Sequence, residues 1–260
     1  AGNPVNNGYP NLIRDRQSNL WCAWISARTR DPLVRQQNVP YEEGDMVMLR
    51  ARKDGRWGDA VFLNTNFGVS LAPVLAEDDS GNIIAVWGSR REGVDGIWWR
   101  RVGPDLSLGG EMRVAPSGKL EALPSLVKAK DGMLWLAFQS FRNGNSDIAF
   151  HSLDGSGWRR RDDPAATPDP EYRPRLAAAP DGGVWCAWDT YSKGKYRVMV
   201  RRYDPTRAAW DAPEAAPGDG LLDAYAPDLV VDSQGRVWVV YARNEAPEHA
   251  YGLRGPKSGG

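Results

Sequence analysis

Three observations in the 260-residue sequence predict an all-β fold built from repeated four-stranded antiparallel sheets. The first is a phrase that occurs five times: Pro-x-Leu, a Gly-containing turn, then an apolar run. Pro10, Pro73, Pro124, Pro174 and Pro227 open the copies. Two residues after each proline stands a leucine (Leu12, Leu75, Leu126, Leu176, Leu229), and fourteen after it an aromatic (Trp24, Trp87, Phe138, Trp188, Tyr241). The second is the period, since the prolines lie 63, 51, 50 and 53 residues apart. Self-similarity near 50 residues with strand-like content marks a propeller blade or a similar array. The third is the aromatic content, twelve Trp and nine Tyr, which suits pleated, half-buried surfaces. Together they predict a β-propeller in one domain spanning residues 1–260.

The fourth repeat shows the elements in order. Residues 173–178 read as a first strand, with Pro174 at its start, where it costs no interior ladder bond. Pro180-Asp181-Gly182-Gly183 is a turn. Val184–Trp188 is a continuous apolar run, the mark of a strand buried on both faces. Residues 192–195 turn the chain, residues 196–203 alternate as a third strand, and a short fourth strand follows Trp210. The other repeats place third strands at 47–49, 97–99 and 148–150. Blades are expected at about 9–69, 70–119, 120–169, 170–222 and 223–255, with a linker-like tail at 256–260. The first repeat carries about thirteen extra residues within 28–43, between its second and third strands. The fifth has 33 residues after Pro227 and is incomplete, which predicts an open array compatible with part of a six-bladed ring.

Lys+Arg and Asp+Glu are equal at 33 each, so nothing in the net charge draws the chain to nucleic acid or an anionic membrane. The apolar runs are strand-sized, and none spans a bilayer. Residue 1 is not followed by a signal-peptide pattern. Cys22 and Cys186 occupy one repeat position in separate blades, beyond disulfide reach. The two histidines, His151 and His249, have no partners at triad or zinc spacing, and no phosphate-cradling loop is present, so neither metal nor cofactor is expected.

One end of the array is richer in recognition chemistry. Arg28, Arg91 and Arg142 share one repeat position, eighteen residues after their prolines. Tyr172, Arg173, Tyr191, Tyr225 and Arg243 fall on the same end by position in the meander. Arginine forks suit carboxylate, sulfate or phosphate, and tyrosines suit sugar faces or peptide side chains. These eight residues are the candidate ligand-binding set. The competing reading has the arginines pinned by local carboxylates, Arg91 by Asp95 and Arg142 by Asp147.

The repeats resemble the sialidase-like propellers with Asp-box (BNR) repeats. The likeness lies in Pro227-Asp228-Leu229 with Asp232-Ser233-Gln234-Gly235-Arg236-Val237-Trp238, and in the turn-plus-Trp segments Asp54–Trp57 and Ser152–Trp158. Residues 152–158 are one residue short of the family's Asp box. Enzymes of that family use three arginines on a carboxylate, an acid/base aspartate and a Tyr–Glu nucleophile pair. No Arg-Ile-Pro motif is present here, and no catalytic residue carries over. The resulting expectation is a noncatalytic recognition or scaffold domain of a larger secreted or envelope protein. Its partner would be a glycan, a peptide or an adjacent domain. The alternatives are a sialidase-like glycoside hydrolase or lyase, and an accessory or sensor propeller beside a hydrolase domain.

Overall fold

The computed structural model describes residues 5–28, 44–65, 69–91, 93–114, 119–155, 157–218 and 222–244. The fold is a β-propeller of antiparallel sheets arranged as five blades. Among the described residues there is no α-helix, and no helix long and apolar enough to cross a membrane.

The first blade holds β1 (Val5–Arg14), β2 (Leu20–Arg28), β3 (Asp45–Lys53), β4 (Arg56–Trp57) and β5 (Val61–Phe62). The second holds β6 (Val69–Glu77), β7 (Ile83–Arg91), β8 (Val94–Val102) and β9 (Met112–Arg113). The third holds β10 (Glu121–Lys128), β11 (Leu134–Ser140), β12 (Asp147–Asp154) and β13 (Gly157–Ala165). The fourth holds β14 (Glu171–Ala178), β15 (Val184–Ser192), β16 (Lys195–Asp204), β17 (Ala209–Trp210) and β18 (Glu214–Ala215). The fifth holds β19 (Ala224–Val231) and β20 (Val237–Arg243). In blades one and four the outer strand is broken into two short pieces, both paired with the third strand. First strands of successive blades pack side by side, β1 on β6, β6 on β10, β10 on β14 and β14 on β19, which makes them the innermost strands.

The prolines do not open these first strands as the sequence predicts. Each strand begins three to five residues upstream, and its register shifts across the proline. The residue before each proline is left-handed: Tyr9 (φ 53°), Ala72 (47°), Leu123 (54°), Arg173 (53°) and Ala226 (53°). A bulge leaves one residue unpaired, so the missing proline N–H costs no ladder bond there. A non-glycine residue in this conformation costs about 1–2 kcal/mol, offset by the surrounding sheet.

Strand alternation sorts the repeat residues onto two faces. The Pro+2 leucine and Pro+14 aromatic point to the preceding blade: Leu75 and Trp87 pack with Trp21, Ile25, Val47 and Leu49 of blade one. The Pro+3, +11 and +13 residues point to the following blade: Ala76, Ile84 and Val86 meet Leu136 and Phe138 of blade three. The same arrangement joins blade three to four and four to five. Twice the x of Pro-x-Leu adds a polar staple across the interface. The Leu75 N–H donates to Asn11 Oδ1 (3.0 Å), and the Leu176 N–H to Ser125 Oγ (2.9 Å). Cys22 and Cys186 are both free, in blades one and four, and burial pushes both thiols up.

The first-to-second-strand turns share an aspartate device. Asp15 Oδ1 accepts from the N–H groups of Gln17 and Asn19, and its Oδ2 from Trp21 Nε1 (2.9 Å). Asp232 repeats this with Gln234, Arg236 and Trp238. Asp78, Asp131 and Asp181 also accept backbone bonds within their turns. Asp78 is therefore a turn organiser.

Candidate ligand-binding face

At the end of the array that carries the starts of β14 and β19 and the β15–β16 hairpin, four tyrosines converge. Tyr196 stands between the other three, with ring centroids 6.3 Å from Tyr172, 4.8 Å from Tyr191 and 6.2 Å from Tyr225. The hairpin register places Tyr191 directly opposite Tyr196, while Tyr172 and Tyr225 sit two residues before their prolines on adjacent innermost strands. Tyr191 is the most open of the four, with 41% of its surface exposed.

Arg173, the left-handed residue of its bulge, reaches over the Tyr225 ring with its guanidinium 5.7 Å from the centroid. Its Nε and Nη2 donate to the two oxygens of Asp189, at 2.9 and 2.5 Å. Asp189 is fully buried, and this fork raises the Arg173 pKa. The pair presents a rigid, internally neutralised edge beside the tyrosines, so the local chemistry favours an uncharged ligand with hydroxyl groups and an apolar face.

The repeat-position arginines are not gathered with this cluster. Arg91 pairs with Glu111 ahead of its own blade's outer strand and stacks on Trp98, 3.6 Å from the ring centroid. Its carboxylate is thus Glu111, not Asp95, and Glu111 is also held by Thr65 and kept below its ordinary pKa. Arg142 is half-buried in blade three. Its Nε donates to Ser140 Oγ (3.2 Å), and desolvation lowers its pKa. Asp147 takes its hydrogen bond from Asn143 instead. Arg28 ends β2 opposite Val5, but its side chain, like the extra residues at 29–43, lies outside the described residues. Arg243 pairs opposite Ala224, the residue before Tyr225, at the start of β19.

Two buried carboxyl groups lie on this same end, and a buried histidine lies in the middle of β12. Glu171, at the start of β14, is 1% exposed. It accepts from Thr167 N and Oγ1, and desolvation, with Asp147 and Asp169 nearby, raises its pKa to about 7. Glu121 holds the equivalent position in β10, with Arg113 within 3.7 Å. His151 is fully buried, stacked on Phe138 at 5.1 Å, and is pushed down to about 3 by desolvation and by Arg142 and Arg160. Among the described residues neither of its ring nitrogens has a partner, which fits a structural, neutral imidazole.

Sequence reasoning missed Tyr196 and Asp189. A hairpin with a two-residue turn at Lys193-Gly194 puts Tyr191 opposite Tyr196, and that signal was readable. Nothing local pairs Arg173 with Asp189, because the bulge that turns Arg173 inward has no glycine to announce it.

No protein-family model matches the chain, and no curated protein matches it. Solved structures do. A protein of unknown function from Dyadobacter fermentans superposes with a TM-score of 0.70 at 14% identity, over 92% of this chain and 76% of its own. A Penicillium chrysogenum α-L-arabinanase complexed with arabinobiose gives a TM-score of 0.61 at 13% identity, over 90% and 74%. A GH93 α-L-arabinofuranosidase of Fusarium graminearum with arabinobiose gives 0.61 at 16%, over 89% and 74%. At these identities the likeness establishes the fold.

Proposed function

We propose that this chain is a carbohydrate-recognition propeller that binds a neutral glycan on the tyrosine ladder between blades four and five. The observation that carries the reading is the convergence of Tyr172, Tyr191, Tyr196 and Tyr225 around one another beside the Arg173–Asp189 fork. Aromatic faces supply area at low entropic cost, and the fork supplies oriented donors. Propellers of this fold that bind arabinobiose support a glycan as the ligand class and make arabino-oligosaccharides the first probe. Titration calorimetry with arabino-oligosaccharides and with an acidic sialyl-oligosaccharide tests the reading. Binding of the neutral sugar, weakened about tenfold or more by Tyr191→Ala or Tyr225→Ala, is expected. Preference for the acidic sugar, or indifference to both substitutions, would sink it.

A hydrolytic reading is favoured by one observation. Glu121 and Glu171 stand at the same repeat position on adjacent innermost strands, in environments of opposite charge, as an acid and a base require. Both are turned into blade interfaces and at most 2% exposed, which is why binding is preferred. Reducing-sugar release from arabinan that disappears in Glu171→Gln would reverse the order.

A further inference from the structure

The two faces that end the array are the two halves of the interface the chain makes four times internally. On blade one the residues that point to a preceding blade are Leu12, Cys22 and Trp24. Leu12 is 57% exposed, whereas its counterparts Leu75 and Leu176 are 4% and 8% exposed. A cavity of about 540 Å³ opens on this face, lined in part by Cys22 and Trp24. On blade five the residues that point to a following blade are Val230, Trp238 and Val240, exposed at 58%, 58% and 68%. Their counterparts Ile84 and Val86 in blade two are fully buried. Among the strand pairs in extensive contact, none joins blade five to blade one.

Two further observations fix the size of what fits between them. Among the described residues blade five has two strands where the others have four or five. Two related solved structures are also longer, with about a quarter of each chain outside the match, since 74–76% is covered. We propose that the seam between blades five and one receives one further four-stranded sheet of this chain's own repeat pattern. It would present a Pro+2 leucine and Pro+14 aromatic to Val230, Trp238 and Val240, and its Pro+3, +11 and +13 residues, aliphatic at +3 and +13 and Trp at +11 in four of the five repeats, to Leu12, Cys22 and Trp24.

Spin labels at Leu12→Cys and Val240→Cys, in a Cys22→Ser background with Cys186 left buried, measure the seam. Packed sheets lie about 10 Å apart, so a space for one sheet holds the two faces about 20 Å apart. That separation in a monomeric 260-residue chain is the expected result. A separation near 10 Å means the five blades close on each other and overturns the proposal. A concentration-dependent dimer, abolished by either Leu12→Arg or Val240→Arg, assigns the faces to a second copy and also overturns it. Occupancy is then read in a variant in which residues 245–260 are replaced by a second copy of 195–218 followed by one of 170–218. This completes the fifth blade and adds a sixth. Its melting temperature should rise by about 5 °C or more, and Leu12→Arg should cancel most of the rise. No rise, or a rise insensitive to Leu12→Arg, counts against the added sheet occupying the seam.

Discussion

At the scale of single residues, two buried groups give the protein opposing pH dependences. His151 is held neutral, with its folded pKa near 3 against 6.5 when unfolded. Its contribution to stability is therefore lost as pH falls from about 6.5 toward 3. Glu171 is held protonated, with its folded pKa near 7 against 4.5 unfolded. Its contribution is fully present below about pH 4.5 and is lost as pH rises through about 7. His151→Phe should leave stability near neutrality almost unchanged, because neither nitrogen has a partner to lose among the described residues. It should raise stability near pH 5, as read by urea unfolding. Glu171→Gln should instead flatten the decline between about pH 5 and 8. The Arg173–Asp189 fork is a different case. Asp189→Asn leaves the Arg173 guanidinium, whose side chain is 37% exposed, without its countercharge, and an unfolding free energy lower by about 1–2 kcal/mol is expected.

At the scale of the element, the recurring unit is the bulged first strand. A β-branched residue tolerates positive φ poorly, so Ala72→Val should destabilise by about 1–2 kcal/mol although Ala72 is only half-buried. Ala72→Gly should be neutral or stabilising by up to about 1 kcal/mol, because relief of the left-handed penalty exceeds the added unfolded-state entropy. Chemical denaturation of the pair checks both signs, and destabilisation by glycine would mean the bulge carries no strain. The strands themselves were legible in the sequence, since burial of β7 and β11 on both faces writes an unbroken apolar run. The bulges were not, because Tyr9, Leu123 and Arg173 occupy positions where glycine is the usual marker. Legibility of the site followed the same division. Tyr172, Arg173, Tyr191 and Tyr225 came together because they share one end of a regular meander. Arg91 did not join them, because it pairs with Glu111, twenty residues on in its own blade, a contact that no periodicity predicts.

At the scale of the whole molecule, an array of sheets that touch only their neighbours has stability distributed by neighbour count. Blades two, three and four are each packed on both sides, whereas blade five has two described strands and one covered face. Amide exchange should therefore be fastest in β19 and β20 and slowest in β7, β11 and β15, with blade one between. Equal protection in all five blades would show that the array unfolds as one cooperative body.

The left-handed residues before the prolines have one more consequence. The same backbone shape is held there five times by four kinds of side chain: a phenol, two methyl groups, an isobutyl group and a guanidinium, from Tyr9, Ala72, Ala226, Leu123 and Arg173. Since the geometry does not dictate the side chain, these positions form an arc of exchangeable letters along the innermost strands of a fixed frame. Selection, or a designer, can respell them without rebuilding a strand, provided the replacement is not branched at Cβ.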